Sequence, residues 1–147
     1  MKKIKLTQGK FALVDDDDFV FLSQWKWCFH VRYARRKHIL MHRLIMGLSD
    51  PKICIDHKNG NGLDNQRRNL RIASRSQNSM NRKSRKGSRS RFKGVDFRLE
   101  RNKWRAIICV DKKPKYLGLF DSEIEAAKKY NFFAIKFHKE FARLNLV

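Results

Sequence analysis

The sequence predicts an α+β protein built from two small modules: an N-terminal unit that runs strand, irregular loop, strand, helix, and a C-terminal three-stranded antiparallel sheet with one packing helix. Three observations carry this. Short apolar runs separated by turn residues fill the first half of the chain. A strongly basic stretch without a single carboxylate then interrupts it, with no acidic residue from Asn65 to Val95. Beyond that, residues alternating between apolar and polar lead into one helical pattern. With 147 residues the chain is long enough for one ordinary domain or two very small ones. The pattern sets the modules at 1–81 and 92–147, with a basic linker at 82–91.

Residues 4–45 read as short strands. Phe11–Val14 is an apolar run, and Asp15–Asp18 reads as a solvated turn. A metal site there is the weaker reading, because four adjacent carboxylates diverge. Phe19–Leu22 comes next, and Trp25, Trp27 and Phe29 then alternate like a half-buried strand, with both tryptophans in the core. Met41–Met46 is a further strand or a short helix, stopped by Gly47 and Asp50-Pro51. Ile53-Cys54-Ile55 leads into Asp56-His57; Asn59-Gly60 and Asn61-Gly62 mark tight turns; Leu70-Arg71-Ile72 returns as a strand; and Ser74–Arg82 has helical spacing. Arg82–Lys93 carries seven basic residues and almost nothing apolar, so it reads as a solvated tether able to track phosphates.

Residues 92–120 read as three strands. Trp104, Ala106, Ile108 and Val110 share one face of the middle strand, and Arg105, Ile107 and Cys109 the other. Arg101-Asn102 and Lys112-Lys113-Pro114 supply the turns. Ser122 with Glu125 reads as a capping box, and Ala127, Tyr130, Ala134 and Phe137 recur at helical spacing to cover the sheet.

Composition narrows the function. Thirty-five Lys+Arg against 14 Asp+Glu give a formal net charge of +21. Self-repulsion of that size favours a polyanionic partner, and nucleic acid gains affinity through counterion release. The cysteines, Cys28, Cys54 and Cys109, form no Cys-x-x-Cys pair. A structural zinc site is therefore not expected; buried thiols in a reducing compartment are. No run reaches membrane-spanning length and no signal peptide is evident, which points to a soluble intracellular protein.

The chemistry concentrates at 55–71. Hydrolysis of a phosphodiester needs a base for water, which a His near neutrality supplies, and a hard cation with oxygen ligands at the phosphate. Asp56 and the side-chain oxygen of Asn78 are such ligands, and His57 such a base. Successive strand residues face opposite ways, so Asp56 and His57 share a site only if the strand ends there, which the glycine turns permit.

Asp56-His57, Asn69 before Leu70-Arg71, and Asn78 on the helix beyond strongly resemble the HNH nucleases of phage and intron homing endonucleases, in a His-Asn-Asn variant. The resemblance covers about residues 5–82 and includes Met41-His42-Arg43-Leu44 as the strand before the motif. It implies a ββα-metal fold with His57 as general base. Asn69 then orients the loop through backbone hydrogen bonds, and Asp56 and Asn78 ligate one divalent metal, Mg²⁺ or Mn²⁺. The remainder is similar to the ethylene-response-factor type of DNA-binding domain (the Apetala-two family). The matching residues are Lys93-Gly94-Val95, Lys103–Ile107, Tyr116–Phe120, Ala126-Ala127, Tyr130 and Asn145. That resemblance implies a sheet lying in the major groove, with Lys93, Arg98, Trp104, Arg105, Lys115 and Tyr116 as contacts. Asp96 and Cys109 depart from the arginines common at their positions.

The expectation is therefore a metal-dependent endonuclease of double-stranded DNA, with neither a membrane nor a small-molecule substrate. One active site per chain favours nicking unless two chains assemble, and a monomer is the favoured state. Arg71 and Arg75, with Arg67 and Arg68, are candidate phosphate clamps or plain solvated charges. His42 is either a packing residue or a phosphate contact beside the site, and His30, His38 and His138 receive no role. One alternative is a non-catalytic DNA-binding regulator with a decayed nuclease fold, against which the intact Asp56, His57, Asn69 and Asn78 speak. The other is an RNA-binding structural protein, which a major-groove sheet disfavours because the A-form groove is too deep and narrow.

Overall fold

The computed structural model of the chain describes residues 1–84 and 87–147. Arg85 and Lys86, in the expected linker, lie outside the described residues. The chain divides into two compact units, Met1–Arg75 and Ser76–Val147, whereas the basic stretch at 82–91 is where the sequence places its boundary. Small sheets and helices alternate in a mixed α and β architecture.

In the first unit β1 (Lys2–Lys5) pairs antiparallel with β2 (Phe11–Val14), with Ile4 opposite Ala12. The expected turn and strand after β2 are corrected: Asp16–Ser23 is a helix, α1. Asp15 takes the extended N-cap conformation, and Asp16, Asp17 and Asp18 occupy the first turn, where carboxylates favour the helix dipole. Asp18 and Leu22, four apart, are its buried residues. Phe19 also packs on the core, and the unbroken apolar run Phe19–Leu22 fits a buried strand as well as a helix. Then come β3 (Cys28–His30), β4 (Tyr33–Arg36) and β5 (Ile39–Leu40), forming one antiparallel sheet. Met41–Ile45 is a helix, α2, rather than the strand that the resemblance implied. Its Met41 and Ile45, one turn apart, both reach the core. Finally β6 (Cys54–His57) pairs with β7 (Leu70–Ala73), with Asp56 opposite Arg71 and His57 opposite Leu70.

These elements share one core, which includes Val14, Leu22, Trp27, Met41, Ile55 and Leu70. Trp27 is 3% exposed and its indole N–H donates to the Leu22 carbonyl at 2.9 Å, which satisfies the one polar atom that burying it would cost. Trp25 packs against the same core.

A short helix, α3 (Arg75–Met80), begins at the division between the units. In the second unit β8 (Val95–Arg98), β9 (Lys103–Val110) and β10 (Lys113–Phe120) form an antiparallel sheet in the order β10-β9-β8, with a register irregularity between Tyr116 and Gly118. Helix α4 (Glu123–His138) covers one face, and its Ser122 cap accepts the Ile124 N–H at 3.2 Å. Ala106, Ala126 and Ala127 have no exposed surface; their small side chains let the helix close on the sheet. Gly94 is required for a similar reason: a Cβ there would stand 2.2 Å from the Tyr130 ring and 2.5 Å from the Ile107 carbonyl. Asn145 accepts the Lys93 N–H at 2.7 Å and donates to the Lys93 carbonyl at 3.1 Å, tying the C-terminal tail to the start of β8.

The cysteines differ from expectation. Cys28 and Cys54 are half-buried and Cys109 is exposed; all three are free. Cys109 sits on the sheet face that α4 leaves open, so its neighbours do not enclose it. No described helix is long and apolar enough to cross a membrane.

Candidate active site

Asp56 and His57 end β6, and both are buried. The strand alternation sends them to different surroundings. The Asp56 carboxylate faces Arg71 across the β6–β7 pair, with Nε at 2.9 Å and a terminal nitrogen at 2.7 Å, both on Oδ2. The His57 ring turns into an aromatic layer. Its centroid lies 5.0 Å from His42, edge to face, and 5.8 Å from Tyr33. Its Nε2 is 3.3 Å from Oδ1 of Asn65.

The loop between the strands is fixed by its own side chains. The chain turns at once after β6, where the Gly60 N–H bonds the His57 carbonyl at 2.7 Å. Asn69 then clamps the loop from its far end. Its Oδ1 accepts the Asn59 N–H at 3.0 Å, and its Nδ2 donates to Asn59 Oδ1 at 3.1 Å and to the Asp64 carbonyl at 2.7 Å. Asn59 holds Asp64 at 2.7 Å, and Asn61 accepts the Leu63 N–H at 3.1 Å. This density of Asx contacts lets an irregular loop keep one conformation without a sheet ladder. Gly62 is needed for close approach: a Cβ would lie 2.4 Å from the Arg32 carbonyl and 2.7 Å from the Tyr33 ring. The β3–β4 hairpin tip therefore rests directly on the loop.

Burial pushes the His57 imidazole below its ordinary pKa; the bond to Asn65 and the charges of Asp56 and Asp64 offset this only in part. The ring is thus neutral at physiological pH, the form that accepts a proton. His42 is driven further down, to about 3, by burial first and then by His57 and Arg43. A neutral, buried His42 is a packing residue against Tyr33 and His57 rather than a cationic phosphate contact. Among the described residues no three His, Cys, Asp or Glu side chains gather into a metal cluster. One buried carboxylate at Asp56 is a hard oxygen donor, which suits a cation that keeps much of its water.

Asn65, Tyr33 and Arg32 also belong to this arrangement, and sequence reasoning does not find them. Asn65 is one of five asparagines between 59 and 78, and nothing in its spacing separates it from the rest. Tyr33 and Arg32 lie far upstream, and only the hairpin brings them to the loop.

The basic candidates fare unequally. Arg71, expected as a DNA contact, is turned onto Asp56 with only 14% of its side chain exposed. Arg67 is gripped by Asp18 through two bonds of 2.9 and 2.7 Å, while its N–H bonds Asp15 at 2.8 Å. The expected solvated turn is thus a carboxylate anchor for the strand-side end of the loop. Arg75 is exposed at the first position of α3, and Asn78 is half-buried on the same helix.

In the second unit the register separates the expected DNA contacts into two faces. Arg98, Arg105 and Tyr116 share the face away from α4 and line one shallow concavity with Glu100, Arg101 and Leu119. Asp96 holds Arg105 there through bonds of 2.9 and 2.6 Å. The other three expected contacts lie elsewhere. Trp104 packs on the helix-side core with Phe97, ring centroids 4.9 Å apart. Lys115 sets its ammonium over the Phe137 ring at 4.9 Å. Lys93 turns its ammonium onto the carbonyl oxygens of Ser79 and Met80 at the end of α3, a favourable place for a cation; burial there lowers it to about 8.

The family model for HNH endonucleases matches residues 35–80, which span β4 to α3 and contain the whole loop. A protein of Acanthamoeba polyphaga mimivirus named as an HNH endonuclease is 31% identical over 149 residues, covering 95% of this chain and 77% of that protein. Protein 3.8 of Escherichia phage T7 is 35% identical over 80 residues, covering 54% of this chain and 66% of its own. No solved structure gives a significant match. With Asp56-His57 closing a strand, Asn69 clamping the loop behind it and a relative matched along nearly the whole of this sequence, the chain belongs to the HNH endonuclease family.

Proposed function

We propose that this nuclease hydrolyses double-stranded DNA with His57 as general base, working as a homing-type nicking enzyme in the cytoplasm of an infected cell. The observation that carries this is the His57 ring, buried at the end of β6, next in the chain to Asp56 and bonded at Nε2 to Asn65. His57 takes a proton from water, whose oxygen attacks phosphorus in line. Asn69 keeps the loop rigid, so that the ring does not have to be reoriented for each turnover. HNH nucleases use a divalent metal; a Mg²⁺ or Mn²⁺ ion held by Asp56 and Asn78 would supply charge stabilisation at the phosphate and the departing 3′ oxygen. Arg71 limits the charge on Asp56 before any cation arrives.

The second unit is proposed as an ethylene-response-factor-type reader, its open sheet face set against the duplex. Arg98, Arg105 and Tyr116 carry that role, with domain limits of 92–147 for the reader and 1–81 for the nuclease. Arg75 is proposed as a phosphate contact. A monomer with one active site nicks.

The test is cleavage of supercoiled plasmid by wild type and His57→Ala, with Mg²⁺, Mn²⁺ or EDTA. Relaxed circles from wild type alone, abolished by EDTA, are expected. His57→Ala should lose at least about 100-fold in rate while still binding DNA. Cleavage by the variant at the wild-type rate would remove His57 as base, and linear product would replace nicking with paired sites.

A further inference from the structure

Asn65 has no exposed surface, although it lies within a polar loop. Its contacts close completely. The backbone N–H donates to the Leu13 carbonyl at 2.8 Å, fastening the loop to β2. Side-chain Nδ2 donates to the Leu63 carbonyl at 3.4 Å and faces Met41 Sδ at 3.6 Å. Oδ1 is left against His57 Nε2 at 3.3 Å. Turning the amide over would bring Oδ1 against the Leu63 carbonyl, acceptor against acceptor, so the orientation is set by the partners. An amide oxygen cannot donate; the hydrogen between it and the ring must sit on Nε2. A neutral imidazole protonated at Nε2 carries its lone pair on Nδ1.

We propose that Asn65 is a positioning residue that locks His57 in the Nε2–H tautomer and thereby makes Nδ1 the atom that accepts the proton of the attacking water. This rests on His57 being the base. In the step, a water O–H bond breaks and an N–H bond forms at Nδ1. The freed oxygen pair forms the new bond to phosphorus, and the bond from phosphorus to the 3′ oxygen breaks with its pair on oxygen, which solvent protonates. The imidazolium that forms keeps its Nε2–H on Asn65 Oδ1, a bond that strengthens as the ring becomes cationic. Asn65 therefore contributes to turnover rather than to substrate binding.

The experiment combines ring ¹⁵N spectroscopy of His57 with steady-state cleavage, on the full chain as wild type, Asn65→Leu and Asn65→Asp. At about pH 8, where an ordinary imidazole is neutral, wild type should show the proton on Nε2. Asn65→Leu keeps the volume without the acceptor; it should lose that single tautomer and about 10- to 100-fold in kcat at unchanged KM. Asn65→Asp keeps an acceptor and discards both amide donors, and should retain the tautomer and most of the turnover. A wild-type ring protonated at Nδ1 overturns the proposal. So does a folded Asn65→Leu with wild-type kcat, or an Asn65→Asp that is folded and as slow as Asn65→Leu. Should Asn65→Leu not fold, the wild-type spectrum and Asn65→Asp decide. An Nε2–H ring in a wild type that cuts no DNA would instead overturn the base role of His57 and leave the tautomer assignment standing.

Discussion

The loop from Lys58 to Asn69 and the open face of β8–β10 are both polar, yet they handle their polar groups in opposite ways. In the loop, asparagine side chains bond one another and the backbone, and Asn65 and Asn69 are buried. On the sheet face, Arg98 and Arg105 remain 37% and 26% exposed even with Asp96 between them. The loop uses neutral amides to fix a ring; the sheet uses charges that still reach solvent. Chemistry on a buried ring needs a geometry set beforehand, because reorganising dipoles during the reaction adds to the barrier. A surface that reads a polyanion needs charges it can present, with enough restraint to limit their entropy loss on binding.

Asn69→Ala should break the loop side of this comparison most severely. The substitution removes three side-chain bonds at once and leaves the Asn59 N–H and Asp64 carbonyl without them. A loss of about 2 to 3 kcal/mol in urea unfolding is expected, with cleavage reduced more than DNA binding. If stability and cleavage both stayed at wild-type levels, the amide clamp would not be what holds the loop.

On the sheet the expected effect is smaller and confined to affinity. Arg105→Ala should weaken duplex binding by about 1 to 3 kcal/mol with little change in the cleavage rate at saturating DNA. Lys115→Ala, whose ammonium sits over Phe137 on the helix side, should leave affinity unaltered at the same ionic strength. Fluorescence anisotropy on one labelled duplex measures both. Equal losses from the two variants would show that charge, not the face it occupies, governs binding.

How much of the fold and site is legible in the sequence depends on how local each feature is. The three C-terminal strands and the Ser122 cap come from alternation and capping within single windows, and the structure carries them at Val95–Arg98, Lys103–Val110, Lys113–Phe120 and Glu123 onward. The strand end at Asp56-His57 is legible for the same reason. Helix α1 is not, because the unbroken apolar run Phe19–Leu22 fits a buried strand as well as a helical turn, and the choice is made by Asp15 and Asp18 bonding Arg67 about fifty residues later. The roles of Asn65 and Tyr33 are hidden likewise: each depends on a partner that only the tertiary fold supplies. Trp104 and Lys115 are hidden because basic and aromatic residues on a strand suit a nucleic-acid face and a helix-covered face equally well, and the pairing register decides which face each takes; Lys93 lies just before β8 and is placed by the carbonyls at the end of α3.

The smallest effect expected is on acid stability, and it separates the buried ring layer from the exposed face. His42 is held neutral by burial, its pKa down to about 3 from an ordinary 6.5. A group whose folded pKa is depressed binds fewer protons folded than unfolded, so its contribution is fully present above 6.5 and is lost as pH falls from there towards 3. His57 shifts in the same direction. The ring layer should therefore make unfolding easier as pH drops through this window, whereas the sheet strands carry no histidine. His42→Phe keeps a ring against Tyr33 and His57 and removes one titrating site. Urea midpoints measured at about pH 7 and about pH 4.5 should fall less for this variant than for wild type, the remainder coming from His57 and the carboxylates. An unchanged pH slope would mean that His42 takes up its proton without opening the core, and that the layer between Tyr33 and His57 is wetter than its 6% exposure of His42 indicates.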